Sequence, residues 1–378
     1  MELHLTSDTA LIEKREELKR RLAAGEYKTL VDIFLEWFDR LLRKIFRRTK
    51  PLPIWLTATL LSLSLILIGF VIVYLSGDIT LLINLISASG GLGTLTIISG
   101  AFISITSAVI MNQYIRRIFS FWHNEILDQT ESMASLVDFE DWLQKTCNWR
   151  LHLLVTIIAV LVLTPNGILM VNNQSGISAG YGLIFSMLIW SVFLYVFFYQ
   201  FLMAIFLSAR IRRYDLKLFA ADPSSSEIMS RLSSELSWVI YLVAVYGIIG
   251  LISVRLIFGS IDLYVVIVQL LFAWLPVIVL FILIQTGLSD IIRRAKWKTL
   301  NEIQVKVEKL QAVENFEDKE TMDAINRLMD YHDRVKATRD SALDFRTYLS
   351  FFNSLLLPLL ALILGNLDLV LKLFGRKP

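Results

Sequence analysis

Long uncharged stretches alternate with charged ones along this chain. Asp, Glu, Lys and Arg are absent from six windows, which are residues 51–77, 79–115, 151–209, 236–254, 263–289 and 347–367. A bilayer span needs about 20 apolar residues in helical conformation, because a backbone in lipid must satisfy its hydrogen bonds internally. Each window is long enough, so the pattern predicts an all-α fold, that of a polytopic helical integral membrane protein.

The number of spans depends on two long windows. Window 151–209 is interrupted by the polar turn sequence Asn172-Asn173-Gln174-Ser175-Gly176, so it is read as two crossings. Window 79–115 is read as one. The result is about seven transmembrane helices, at about residues 54–76, 92–115, 150–171, 180–208, 236–257, 262–287 and 344–365.

Lys and Arg residues set the predicted orientation, because they favour the cytoplasmic ends of spans. A basic cluster precedes the first span: Arg40, Arg43, Lys44, Arg47, Arg48 and Lys50. The seven-span path keeps every Lys and Arg inside except Arg255, Lys372, Arg376 and Lys377, whereas a hairpin within 79–115 would put more of them outside than inside. We therefore predict a plasma-membrane or inner-membrane protein with a cytoplasmic N-terminus and an outside C-terminus.

This topology divides the chain into four parts. Residues 1–52 form cytoplasmic amphipathic helices, and residues 53–287 hold spans one to six with inner loops 116–149 and 209–235. Residues 288–343 form a cytoplasmic helical hairpin, and residues 344–378 hold span seven and a short outer tail.

The cytoplasmic parts carry apolar stripes at helical spacing. In the N-terminal part, one face holds Val31, Phe34, Phe38, Leu41 and Ile45, which predicts a helix that packs on the inner domain or lies on anionic lipid. In the hairpin, the predicted assembly face, within or between subunits, holds Leu300, Ile303, Val307, Leu310, Ile325 and Leu328. Between spans four and five, we expect helix through Ala209 to Phe219, then a new helix with a Ser224 and Glu227 capping box.

Composition changes the picture mainly by what it excludes. The chain is 55% hydrophobic and 19% charged, with a net charge of +3, so a soluble globular protein is excluded. A single Cys147 and four dispersed histidines offer no disulfide, zinc motif or catalytic set. We therefore predict no enzyme, no cofactor, no metal and no nucleic-acid partner. The span cores lack Asp, Glu, Lys and Arg, which argues against proton-coupled or ion-coupled transport.

The second span is the polar exception among the spans. Small and hydroxyl residues share one of its faces: Gly93, Thr96, Gly100, Ser104 and Ser107. Asn353 adds polarity to span seven. Small residues allow close helix approach, so tight packing is the favoured interpretation, with an aqueous pore as the alternative.

An inner N-terminus, seven spans, long inner extensions of spans four to six and a short outer tail together form a layout that is similar to that of the insect odorant and gustatory receptors. The local match is Thr347-Tyr348-Leu349 at the start of span seven, where gustatory receptors carry a Thr-Tyr motif ending in Gln-Phe. Here Ser350-Phe351-Phe352-Asn353-Ser354 follows and lacks that ending. The resemblance implies a tetramer anchored by inner helices, in which the last span lines a ligand-gated cation pore.

Taken with the uncharged spans, these features predict a non-enzymatic oligomeric channel or membrane sensor. Its predicted partners are the lipid bilayer and further copies of the same chain, and its small-molecule ligand is not identified. A scaffold or signalling protein without a pore is the first alternative. A passive or substrate-binding transporter is the second, and a lipid-modifying enzyme ranks below both.

Overall fold

The computed structural model describes residues 2–76, 92–175, 181–258, 263–312 and 319–341. Helix accounts for most of the described residues, and within the same ranges the β-structure amounts to one isolated antiparallel bridge, between Thr130 and Leu216. The predicted all-helical fold is therefore confirmed. Predicted span seven, at 344–365, lies outside the described residues.

Ten helices of at least 15 residues are present in the described ranges. They are α1 Glu2–Ala23, α2 Leu30–Phe46, α3 Ile54–Leu75, α4 Leu92–Phe121, α5 Met133–Cys147, α6 Trp149–Ser175, α7 Tyr181–Arg210, α8 Glu227–Phe258, α9 Leu263–Gln311 and α10 Lys319–Ala337. A π-helical turn, Trp122–Ile126, continues α4, and short 3-10 turns occupy Ile211–Arg213 and Pro223–Ser225.

Several of these helices are suited to a membrane. In the part of the chain that the structure describes, four segments are long and apolar enough to cross a bilayer: Ile54–Ile72, Ser191–Arg213, Glu227–Tyr246 and Trp274–Gln311. A fifth arises if α5 and the first half of α6, bent by 54°, form one broken span. Leu67 on α3 is 66% exposed and Leu161 on α6 is similarly exposed. Such exposed apolar surface is compatible with lipid contact, while the seven-span count stays a prediction.

Helix α9 is longer than a membrane is thick. It contains 49 residues, which at about 1.5 Å per residue gives roughly 74 Å, against a hydrocarbon core of about 30 Å. Charges begin at Asp290 and continue to the end of the helix. The second half of α9 therefore belongs to a polar region, where α10 folds back against it.

The charged ends of the helices meet in one polar end of the molecule, made of α1, α5, the ends of α4 and α7, the start of α8 and the second half of α9. Ion pairs across helices connect it. Arg21 on α1 lies 2.5 Å from Glu140 on α5, Arg210 on α7 lies 2.8 Å from Asp141, and Lys298 on α9 lies 2.6 Å from Glu131.

Aromatic rings fill the centre of this polar end. Trp122 stacks on Phe139 with ring centroids 5.3 Å apart, and Phe139 stacks on Trp142 at 5.7 Å. Phe119 and Tyr214 approach the same group edge-on. We call these five residues the aromatic core. The indole N–H of Trp142 donates to the backbone oxygen of Met203 at 2.8 Å, which satisfies its one polar atom.

The connection from α7 to α8 differs from the sequence expectation. Helix α7 ends at Arg210, and the chain becomes extended after the 3-10 turn. The extended segment hydrogen-bonds to the stretch after α4, with Lys217 N–H donating to Gln129 O at 2.7 Å. The prediction that helix continues through Phe219 is therefore wrong. The extended path buries Tyr214 and Leu216. Burial of these apolar side chains offsets the loss of the helical hydrogen bonds.

Two local details shape this connection. A Cβ on Gly287 of α9 would meet the Ile211 side chain at 2.9 Å, so glycine allows the turn to approach α9 closely. The predicted Ser224 capping box does not form. Instead the Ser224 hydroxyl donates to Asp222 Oδ1 at 2.6 Å, because Asp222 caps the 3-10 turn and α8 begins later, at Glu227.

Candidate functional site

Helix α2 begins at a buried capping box. Thr29 precedes the helix, and its backbone N–H donates to Asp32 Oδ2 at 2.9 Å. The Asp32 N–H donates to the Thr29 hydroxyl oxygen at 3.2 Å. A capping box satisfies two backbone donors at the start of a helix, and here its first residue, Thr29, is fully buried. The start of α2 is therefore inserted into the helix bundle.

Side chains from two bundle helices bind this capping box. Asn112 of α4 accepts a hydrogen bond from the Thr29 hydroxyl at 2.6 Å and donates to Asp32 Oδ1 at 2.8 Å. One turn further along α4, Arg116 Nη2 lies 2.5 Å from Asp32 Oδ2. Gln200 of α7 donates to Asn112 Oδ1 at 3.2 Å. We call these five residues the polar junction.

The polar junction couples three helices through interactions that depend on geometry. Asn112 and Gln200 are fully buried, and a buried amide is costly unless it is hydrogen-bonded. The Oε1 atom of Gln200 is buried without a hydrogen-bond partner in the structure. A shift of α2 would break several of these bonds at once, so the position of α2 and the packing of α4 against α7 cannot vary independently.

A second buried polar group lies at the bend between α5 and α6. His152 is fully buried; its Nε2 lies 3.3 Å from Val196 O, and its ring stacks on Tyr199 with centroids 4.1 Å apart. The Tyr199 hydroxyl donates to Lys145 O at 2.8 Å, near the C-terminus of α5. These contacts fix the bend against α7, which is a structural role.

The predicted small-residue face of span two lies along α4. Ser107 is buried and its hydroxyl donates to the Ile103 backbone oxygen, while Ser104 is half-buried. The surroundings of the Gly93, Thr96 and Gly100 side-chain positions are not among those described, and Asn353 lies outside the described residues. The buried position of Ser107 is consistent with helix packing, and the choice between packing and pore stays a prediction.

The predicted assembly face lies between α9 and α10. Ile303 and Val307 pack against Ile325, and the partly buried residues Leu310, Leu328 and Tyr331 complete the cluster, which we call the hairpin cluster. Leu300 is also buried. Lys296 closes the base of this hairpin, donating to Thr338 O at 2.8 Å and to Asp340 Oδ1 at 2.7 Å. These residues meet within one chain, and a contact between subunits stays a prediction.

Sequence reasoning missed the polar junction. Asn112 lies just beyond the small-residue face, and Gln200 lies in an aromatic-rich stretch of span four. Both are amides near the inner ends of otherwise apolar windows, and that placement is a usable signal. Their pairing was not readable, because Asn112 lies 83 residues from Thr29 and 88 residues from Gln200 along the chain.

Many charged groups at the polar end form ion pairs or hydrogen bonds. At Lys14 a hydrogen bond from the ammonium group to Glu140 is the main cause that raises the lysine pKa. The hydrogen bond from the Ser224 hydroxyl lowers the pKa of Asp222. Among the described residues, His, Cys, Asp and Glu form no group of three or more that is arranged to hold a metal ion.

Comparisons with known proteins gave no match, whether with protein-family models, with curated proteins or with solved structures. The protein is therefore classified by its fold and not by a family. The chain is an all-helical protein whose apolar helices are compatible with a place in a membrane.

Proposed function

We propose that the protein is a non-enzymatic multi-pass membrane protein that works as an oligomeric channel or membrane sensor. In this proposal the polar end faces the cytoplasm, the chain crosses the bilayer seven times, and the C-terminus lies outside. Lys and Arg are concentrated at the polar end, and the positive-inside rule places such an end in the cytoplasm.

The polar junction is the observation that carries the proposal. Sensors and gated channels need an element whose position is coupled to the packing of the transmembrane helices. Helix α2 meets this requirement, because Asp32 and Thr29 are hydrogen-bonded to Asn112 of α4 and, through it, to Gln200 of α7. A passive scaffold has no need of such a coupling at the start of an amphipathic helix.

Reporter fusions test the topology. Fusions after Lys50, Asp222, Asn315 and Pro378 should report inside, inside, inside and outside. An outside report at Asp222 would restore a hairpin in 79–115 and refute the seven-span path.

Single-channel recording from the reconstituted full chain tests the function, together with a measurement of oligomer size. The variant Asn112→Leu removes the amide that joins α2 to α7 and keeps the number and branching of the side-chain heavy atoms. We expect it to change opening probability or stimulus response while the oligomer stays intact. The matched control is Asn326→Leu, at an exposed position of α10, which should leave both unchanged. A monomer without current under any stimulus would favour the scaffold alternative.

Thiol labelling tests whether the small-residue face lines water. In a Cys147→Ser background, cysteines at Gly100 and Ser104 should react slowly with a hydrophilic reagent if the face is packed. Fast labelling at both positions in a stable protein would identify that face as the pore wall.

A further inference from the structure

Helix α2 has two different apolar faces. One face is buried against the protein and holds Val31, Leu35, Phe38 and Leu42. Beside it runs a second face of large side chains that the protein leaves open: Trp37, Leu41 and Ile45. Phe46, the last residue of the helix, is exposed as well. Trp37 is 53% exposed and Ile45 is 62% exposed. Trp37, Leu41 and Ile45 recur every four residues, so they form one stripe along the helix.

Basic side chains border this exposed stripe. Arg40, Lys44, Arg47, Arg48 and Lys50 are all exposed. The acidic side chains of α2 are engaged elsewhere. Asp32 belongs to the polar junction, Glu36 lies 2.8 Å from Lys28, and Asp39 accepts the Leu52 N–H at 3.0 Å and lies 2.9 Å from Arg43. The second half of α2 therefore presents apolar and positively charged groups together.

Helix α2 directly precedes a candidate span in the chain. A short connection leads from α2 into α3, whose first turn exposes Ile54, Trp55 and Leu56. Trp149, the first residue of α6, is also exposed. Tryptophan is enriched where a span enters the headgroup region. The exposed Trp55 at the start of α3 is therefore what is expected where a span begins, and α2 lies just before it in the chain.

We infer that α2 is an interfacial helix that binds anionic phospholipid. Trp37, Leu41, Ile45 and Phe46 enter the boundary between headgroups and acyl chains, and the adjacent Lys and Arg side chains bind lipid phosphates. Charge complementarity favours this occupant over a second protein, because an exposed basic and aromatic stripe next to a span meets lipid first. The inference rests on the proposed membrane placement and not on the existence of a pore.

The polar junction gives this lipid contact a consequence. The same helix that carries the exposed stripe begins at Thr29 and Asp32, which are bonded to α4. A change in the anionic lipid content that moves α2 is therefore transmitted to the bundle. In the sensor form of the proposed function, lipid charge is the stimulus.

Site-directed spin labelling of the full chain in nanodiscs tests the inference. In a Cys147→Ser background, single cysteines replace Ile45, Glu36 and Leu67. Ile45 reports the proposed lipid face, Glu36 a polar face of the same helix, and Leu67 the exposed surface of α3. In phosphatidylcholine with phosphatidylglycerol, we expect labels at 45 and 67 to be accessible to oxygen and shielded from a water-soluble nickel chelate. The label at 36 should show the reverse.

Charge variants test the anionic component. Lys44→Gln with Arg48→Gln should raise the phosphatidylglycerol fraction needed for half-maximal shielding of the label at 45 by several-fold, since each basic residue near the surface contributes about fivefold. The matched control, Lys306→Gln with Lys309→Gln, removes two exposed charges from α9 and should change nothing.

The outcomes separate this inference from the membrane proposal. A water-exposed label at 67 would overturn the membrane placement and this inference with it. A label at 67 in lipid and a label at 45 in water, in both lipid compositions, would overturn the inference alone. Equal shielding at 45 in neutral and anionic nanodiscs would overturn the anionic specificity. A label at 45 shielded from both reagents would point to a protein partner and contradict lipid contact.

Discussion

The aromatic core and the hairpin cluster are both buried apolar groups at the polar end, and they are built differently. The aromatic core joins α4, α5 and the segment after α7, with Trp122 and Trp142 both stacked on Phe139. The hairpin cluster joins α9 and α10, with three buried residues and three partly buried ones. The first is enclosed by many elements and the second has one open side. Loss of a side chain should therefore cost more in the aromatic core.

Trp142→Ala tests this comparison with the largest expected effect. Trp142 is 1% exposed, stacks on Phe139 and donates to Met203 O. Truncation should lower the free energy of unfolding by about 3–5 kcal/mol, since it leaves a large cavity and removes the hydrogen bond from the indole to the Met203 oxygen. Thermal unfolding of the purified protein measures the loss.

Two variants control this experiment. Trp142→Phe keeps a stacked ring and should recover most of the stability. Trp297→Ala removes a tryptophan that is 57% exposed on α9, and it should change the unfolding midpoint little. Equal losses for Trp142→Ala and Trp297→Ala would show that the aromatic core is not a stabilising centre.

Ile303→Asp tests the hairpin cluster, where we expect a smaller and more local effect. Ile303 is 4% exposed, and a carboxylate there would lower stability by roughly 2–4 kcal/mol. Because one side of the cluster is open, α10 can separate from α9 without unfolding the remainder. Hydrogen exchange should therefore increase in α10 while the aromatic core stays protected.

Val305→Asp is the matched control on the same helix. Val305 is 47% exposed, so the new carboxylate stays in water and α10 should exchange as in the unmodified protein. If Ile303→Asp also left α10 protected and the oligomer unchanged, the hairpin cluster would not be needed to hold α10.

The two regions also differ in how far the sequence revealed them. The residues of the hairpin cluster repeat within each helix at intervals of three and four, so Ile303, Val307 and Ile325 were predicted to share a face. Helical periodicity carries that information directly. No periodicity links Trp122, Phe139 and Tyr214, because they come from three different segments. Contacts of that kind are set by tertiary packing and cannot be read from one segment.

The polar junction could not be predicted from the sequence for the same reason. The α7–α8 connection was predicted wrongly for another reason. The sequence identified the apolar windows but not the pairing of Thr29 with Asn112 across the chain. At Asp222 to Ser226 it identified a helix boundary and assigned the wrong cap. Serine and aspartate are both good caps, and the choice between them depends on where the extended segment before them ends.

Asp222 is the site of the smallest predicted effect, and it tests the connection between the aromatic core and α8. The Asp222 carboxylate accepts hydrogen bonds from the Ser224 N–H at 3.1 Å and the Ser224 hydroxyl at 2.6 Å, and these bonds lower its pKa.

A folded-state pKa below the unfolded value of about 3.9 means that the stabilisation is complete above that value and is lost as pH falls through the folded-state pKa. Asp222→Ala should therefore lower the free energy of unfolding by about 0.5–1 kcal/mol at pH 7, as for other caps, and the difference from the unmodified protein should shrink as the pH falls below about 4. Asp222→Asn keeps the cap without the titration, so its stability should match the unmodified protein at pH 7. A difference for Asp222→Ala that stays constant down to about pH 2 would mean that the charged carboxylate is not what holds the turn.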